Sequence, residues 1–353
     1  MERKKLPLGV ADFRKAIQGQ YLYVDKTSFI EEIMNDGAEV KLFTRPRRFG
    51  KTLNMSMLQY FFDIQNQEEN AKLFQGLKIE SSPYMVEQGK YPVIYLSLKD
   101  TKRDTWEEMI SEIRFFVSEL FYSFRFLLEN SNEFDIPIFK GIITKKSNMS
   151  ELLNSLKILS RMLKEHYQEK VIILIDEYDT PIVSAYEHGY YEEAITFFRN
   201  FYSSALKDNE YLHMGVMTGI LRVAKEGIFS GLNNLAVYSV LDERYSSSFG
   251  LTKEEVESAL NDYDLDYKME EVKEWYDGYR FGSTEIYNPW SILNYISSQK
   301  LEAYWINTSS NGMINQVLER AGRTGSNIFQ KLETLFQRKT IFQRINKSSD
   351  FHD

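Results

Sequence analysis

The run Val171-Ile-Ile-Leu-Ile175, followed at once by Asp176-Glu177-Tyr-Asp179, constrains the fold more than any other stretch of this chain. Five consecutive β-branched or leucyl residues leave the segment no polar face. Such a run suits a strand covered on both sides, as in a parallel sheet packed between helices. Acidic residues at its C-terminal end then lie in the crevice where α/β sheets bind ligands. The bland alternative is a strand that ends in a solvated acidic turn.

A second stretch, far upstream, pairs with the first. Ala38-Glu-Val-Lys-Leu-Phe43 alternates in a way that suits a strand, and Leu53, Met57, Leu58, Phe61 and Phe62 recur at helical spacing. Between them lies Thr44-Arg45-Pro46-Arg47-Arg48-Phe49-Gly50-Lys51-Thr52. A strand, a tight loop and a helix N-terminus surround an anion with N–H groups and the positive end of the helix dipole. The loop therefore reads as phosphate-binding, with Lys51 reaching the β/γ-phosphates and the Thr52 hydroxyl ligating Mg²⁺. Arg45 stands where the general G-x-x-x-x-G-K-[ST] pattern has its first glycine, and Pro46 removes one donor. The alternative is a surface turn with solvated arginines. The paired acidic strand favours the nucleotide site: Asp176 is placed to hold the Mg²⁺, and Glu177, on the other side of the chain, to orient or deprotonate a water.

At these residues the chain resembles a family. Tyr23-Val-Asp25-Lys26-Thr27, Arg45-Pro-Arg-Arg-Phe-Gly-Lys-Thr52 and Ile175-Asp-Glu-Tyr-Asp179 look like the AAA-ATPase-like family of bacteria and archaea. So do Thr218-Gly219-Ile-Leu-Arg222, Phe229-Ser-Gly-Leu-Asn233-Asn234, Trp275-Tyr-Asp-Gly-Tyr-Arg-Phe281 and Tyr287-Asn-Pro-Trp290. The motifs run in unbroken order from about residue 5 to about residue 320. In that family Arg-Pro-Arg-Arg-Phe-Gly-Lys-Thr is the usual form of the loop. ATP rather than GTP rests on this resemblance. Family members commonly continue into a PD-(D/E)XK nuclease domain, for which this chain stops too soon at Asp353. The triplets Glu39-Val-Lys41 and Glu271-Val-Lys273 read as chance, so no nuclease activity is expected. A DNA partner is suggested only by the nuclease that relatives carry.

Composition agrees. With 43% apolar and 14% aromatic residues in 353, the chain can pack a large core, which argues against global disorder. It has no cysteine, so disulfides, thiolate metal sites and cysteine nucleophiles are excluded. Its four histidines, at 166, 188, 213 and 352, show no metal-ligand spacing. A net charge of −8 argues against a broad nucleic-acid surface. Arg45, Arg47 and Arg48 form the dense basic cluster of the motif region; nucleotide phosphate is their first assignment, a guard at the pocket mouth the second, DNA backbone the third. The N-terminus lacks the sustained apolar stretch of a signal peptide, and no uncharged apolar run approaches the ~20 residues that span a bilayer. A cytoplasmic protein without membrane contact is expected.

Along the chain, helix and strand alternate as a parallel sheet requires. Helices are expected over 26–35, from Lys51 to about Ile64, over Trp106–Glu129, 149–167 and 192–207. Strands are expected over 38–44, 91–98, 171–175, 211–218 and 235–241. Thr218 ends its strand as a polar γ-phosphate sensor does, and Arg222 is placed to touch that phosphate or one in a neighbouring subunit; a solvated loop arginine is the alternative. Beyond Gly250 the alternation stops. Thr252-Lys-Glu-Glu255 is a capping box that opens a helix over 253–261, another helix covers about 268–276, and Tyr279–Ile286 suits a short hairpin. Asn288-Pro289 starts a last helix by capping, which gives Tyr287-Asn-Pro-Trp290 a structural reading without chemistry.

The expected fold is α/β: a P-loop NTPase parallel sheet flanked by helices over 1–250, a helical lid over 251–320, and over 321–353 a polar tail, with the truncated start of a further domain as the alternative. The expected activity is Mg²⁺-dependent ATP hydrolysis. Arg45, Pro46, Arg47, Arg48, Phe49, Gly50, Lys51, Thr52 and Leu53 would bind phosphate, Thr52 and Asp176 the metal, and Tyr23 the adenine. Lys51, Glu177, Thr218 and Arg222 would carry the chemistry. Two alternatives stay open, a nucleotide-gated module with negligible turnover and a kinase-like phosphotransferase with Asp179 positioning the acceptor. Self-association stays open as well.

Overall fold

The computed structural model describes residues 3–221, 228–229 and 232–305. Its centre is a five-stranded, all-parallel sheet: β1 (Val40–Thr44), β2 (Val93–Ser97), β3 (Val171–Asp176), β4 (Leu212–Gly219) and β5 (Leu235–Tyr238), in the order β2-β3-β4-β1-β5. The apolar run of β3 is explained by its two faces. Ile172 and Leu174 pack with Met55, Leu58 and Phe61 of the helix Lys51–Phe62. Val171, Ile173 and Ile175 face the opposite cluster, which holds Ile113 of the helix Trp106–Ser123 and Phe198 of the helix Tyr191–Leu206. All five are fully buried, each contributing roughly 1.5–3 kcal/mol relative to exposure.

Strand order and register decide what meets at the carboxyl edge. β4 lies between β1 and β3, with Thr44 opposite Gly219 and Ile175 opposite Met217. The ends of three strands remote in sequence, at Thr44, Asp176 and Thr218, therefore come level in one crevice. This is where an open α/β sheet presents its ligand site.

Beyond β5, a second unit combines helices Lys253–Asn261, Met269–Tyr276 and Pro289–Ser298 with a small antiparallel sheet, β6 (Leu251–Thr252), β7 (Tyr279–Phe281) and β8 (Thr284–Tyr287). Thr252 and Glu255 form the expected capping box, and the Asn288 side chain accepts from Trp290 N at the start of the last helix. The unit has its own core around Val256, Leu260, Tyr287 and Ile292, into which Leu22 of the N-terminal segment inserts.

Two helical expectations need correction, and a third helix lies where none is expected. The helix from Trp106 ends at Ser123, and Arg125–Glu129 is a 3₁₀ turn that buries Phe124 and Leu127. The 149–167 helix breaks at Asn154, whose backbone N–H closes the short helix Met149–Leu153. Asp135–Ile143 is helical despite Pro137 and Gly141, because Phe139 and Ile142 are buried and Asp135 pairs with Arg161. No described helix is long and apolar enough to cross a membrane. The tail over 321–353 lies outside the described residues.

Candidate functional site

The loop after β1 is shaped by two left-handed residues, Arg48 (φ 67°) and Gly50 (φ 83°). A Cβ at Gly50 would meet nothing within 4 Å, so glycine is favoured there by conformation rather than by space. Lys51 opens the 12-residue helix. Its ammonium is buried and donates back to the loop, to the carbonyls of Arg45 at 3.1 Å and Pro46 at 3.0 Å. Burial pushes the Lys51 pKa down, while Glu177, Asp179 and Asp176 support the charged form and Arg47 opposes it. A buried cation held by neutral carbonyls at a helix N-terminus is a receptive site for an anion.

The acidic end of β3 faces this cation. Asp176, fully buried, accepts from the Thr52 hydroxyl at 2.7 Å through one oxygen and from the Thr218 hydroxyl through the other. Glu177 takes a left-handed turn (φ 54°), and its carboxylate accepts from Thr180 Oγ1 at 3.2 Å. The turn is tied to the end of β4, since Tyr178 N donates to Thr218 O at 3.0 Å. Among the described residues no group of three or more His, Cys, Asp or Glu could hold a metal. Thr52 and Asp176 still fit Mg²⁺, which is commonly held by one or two protein groups with substrate phosphates and waters completing its shell.

A cleft of about 470 Å³ opens from the loop. Gly50, Lys51, Thr52, Leu53 and Glu177 line it on one side. Pro7, Val10 and Leu22 from the N-terminal segment, with Ala259, Pro289 and Ile292 from the second unit, supply apolar walls. This is the size and mixture typical of small-molecule sites. Arg48 and Trp290 also line it, the guanidinium 3.8 Å from the centre of the Trp290 ring.

The AAA-ATPase-like family, described as predicted AAA-ATPase, matches residues 7–229, which hold every element of this crevice from Tyr23 to Thr218. The chain belongs to that family. A relative from Azotobacter chroococcum mcd 1, named "Uncharacterized protein in vnfD 5'region", is 29% identical over 312 residues. That alignment covers 88% of this chain and 55% of the relative, so the chain spans about half the relative's length. No solved structure matches.

Within this AAA-ATPase-like chain the structure brings together Lys51, Thr52, Asp176, Glu177 and Thr218, but it directs Arg45 elsewhere. The Arg45 side chain is fully buried. It donates to the carbonyls of Thr44 (3.0 Å), Tyr238 (2.9 Å) and Tyr245 (3.1 Å), beneath the rings of Phe249 and Phe281. Its backbone N–H goes to Gly219 O. Neither group is available to phosphate, because the ends of the neighbouring strands β1 and β5 and the loop at Tyr245 surround the guanidinium with carbonyls before any ligand arrives. Phe49 is likewise buried, against Tyr279 and Phe281, and only its backbone belongs to the loop surface. Arg47 is half-buried and Pro46 offers Lys51 its carbonyl. Tyr23 lines the cleft, with its ring against Phe13 and its hydroxyl directed at Met57 Sδ. Arg222 lies outside the described residues.

Asp179 is the other correction. Buried, with its pKa raised by that burial, it accepts from Ile220 N at 2.8 Å and Leu221 N at 2.7 Å. It holds the turn after β4 through one carboxylate oxygen and does not line the cleft where an acceptor hydroxyl would sit. Trp290 is the residue that sequence reasoning missed. Its motif carries a cap, as expected, but the indole also forms a wall of the cleft. The signal available was an aromatic residue one position after a helix-starting proline, which does not by itself specify a ligand.

Proposed function

We propose that this chain binds ATP with Mg²⁺ in the 470 Å³ cleft and hydrolyses it. The observation that carries the reading is the joining of Thr52, Asp176 and Thr218 by hydrogen bonds beside the buried Lys51. The family supports ATP as the nucleotide.

Lys51 would exchange its two loop carbonyls for the β- and γ-phosphates, and the free amides at the helix start would complete the anion site. Thr52 and Asp176 would hold the Mg²⁺, which neutralises charge on the phosphates when bound. Thr218, hydrogen-bonded to Asp176, would sense the γ-phosphate end of the site. Glu177 would orient a water and take its proton. The water oxygen bonds to the γ-phosphorus, the bond to the β–γ bridging oxygen breaks, and ADP leaves with that electron pair. The proton then passes to the inorganic phosphate. Each part is positioning and charge stabilisation, which is what phosphoryl transfer needs.

One observation favours a second reading, a nucleotide switch with little turnover. One carboxylate oxygen of Glu177 accepts from Thr180 Oγ1, which occupies that oxygen before any water arrives. Comparing ATP turnover of the parent with that of Glu177→Gln decides between them. Hydrolysis requires that turnover fall on the order of 10²-fold with nucleotide affinity kept. Equal, slow turnover in both proteins supports the switch. A role in DNA processing or in a multi-subunit assembly rests on resemblance alone.

A further inference from the structure

Lys26 belongs to the Tyr23–Thr27 motif, and its side chain spans the two halves of the cleft. Its ammonium, mostly buried, lies 2.5 Å from Glu255 Oε2 and donates to Ser247 O at 2.7 Å. The same Glu255 oxygen accepts from Thr252 N at 2.8 Å, so the partner is also the capping residue that starts the helix Lys253–Asn261. At its other end Lys26 is fixed by its neighbours. Asp25 accepts from the N–H and hydroxyl of Thr27 and from Lys78 N, and Thr27 Oγ1 accepts from Ile79 N. One end of the side chain is thus anchored to the sheet unit and the other to a helix of the second unit.

An exposed ion pair could be dismissed as solvated ornament. This pair is largely buried, its two residues are 229 positions apart, and Lys26 itself lines the cleft. Removing water from both charges is costly unless geometry and further hydrogen bonds compensate. Here the Ser247 carbonyl and the Thr252 amide supply that compensation. The walls on either side, Leu22 and Val24 next to Lys26 and Ala259 one turn after Glu255, are apolar, which suits the nucleoside better than the phosphates.

We propose that the Lys26–Glu255 pair is a positioning strut that sets the width of the cleft where the nucleoside half of a nucleotide lies, independently of the phosphate half at Lys51. The proposal rests on the nucleotide reading above and adds Lys26 as a determinant of nucleoside affinity.

The test uses the full chain with the double substitution Lys26→Met, Glu255→Gln, which strands no buried charge and keeps an oxygen for Thr252 N. Affinities for Mg·ATP and for Mg·tripolyphosphate are measured by calorimetry on the parent and the variant. The strut requires ATP affinity to fall about tenfold while tripolyphosphate affinity stays within about twofold. Unchanged ATP affinity, or an equal fall for both ligands, overturns it, the latter because a general loss of folding would weaken both. Should the double variant not fold, Glu255→Gln alone is read by the same ATP-to-tripolyphosphate ratio. Lys26→Arg, which keeps the charge, is expected to retain most of the ATP affinity. A parent that binds neither ligand overturns the nucleotide reading and the strut together, whereas a parent that binds both beside an unaltered variant overturns the strut alone.

Discussion

The hydroxyl of Thr52 lies 2.7 Å from the carboxylate of Asp176, although 124 positions separate them in the chain. The contact joins the start of the helix after β1 to the end of β3, and it exists because β4 brings Thr218 into the gap between their strands. Three polar groups are thereby held in one place before any metal or phosphate is added.

The first prediction concerns this trio. Asp176→Asn keeps the shape but removes the charge, so turnover in Mg²⁺ should fall on the order of 10²-fold or more while ATP binding without metal changes little. Steady-state rates across a Mg²⁺ titration check this, and an unchanged Mg²⁺ dependence would exclude Asp176 as a metal ligand.

Arg45 yields a stability prediction instead of an affinity one. Burial pushes its pKa down to about 10, so it is still charged at neutral pH. Arg45→Ala leaves three carbonyls without a donor and should cost about 3–5 kcal/mol. Arg45→Lys cannot reproduce the forked geometry and should recover only part of that. Urea unfolding without nucleotide measures the loss. Full stability with lost ATP binding would return Arg45 to the phosphate site.

Stability should also depend on Asp63, the residue that ends the helix Lys51–Phe62. Burial raises its pKa from 3.8 to about 7, with Gln65 N and Arg14 opposing the shift. The folded state therefore binds a proton that the unfolded state has already lost. Stability contributed by that proton is complete below pH 3.8, falls as pH rises toward about 7, and is gone above it. Asp63→Asn should raise the melting temperature at pH 8 and leave it nearly unchanged at pH 4. Equal effects at both values would show that the charge is not the cause.

Trp290 offers an optical readout. Its stacking with Arg48 at 3.8 Å is worth about 0.5–1 kcal/mol at an exposed site. A ligand whose phosphates draw Arg48 away should change the Trp290 emission, and Trp290→Phe should abolish that part of the signal. A nucleotide-induced change that survives in Trp290→Phe would have to come from another tryptophan.

What could be read from sequence follows the range of the interactions involved. The β3 run, the helix from Lys51 and the Thr252–Glu255 cap are set by neighbours within a few positions, and the structure has them where periodicity and capping place them. Thr52 and Asp176 were legible as a pair because strand ends of a parallel sheet converge. The direction of Arg45 was not legible, since its acceptors include Tyr238 and Tyr245, 193 and 200 positions away. The Lys26–Glu255 bridge was hidden in the same way. The helix Asp135–Ile143 was obscured for the opposite reason, local signals from Pro137 and Gly141 being overridden by burial of Phe139 and Ile142.

The most direct test of the account is a calorimetric titration of Mg·ATP into the parent chain and into Lys51→Ala. The account predicts one saturable site in the parent and no measurable binding in the variant, with circular dichroism showing both proteins folded in the absence of nucleotide. Equal binding by the two proteins would contradict it.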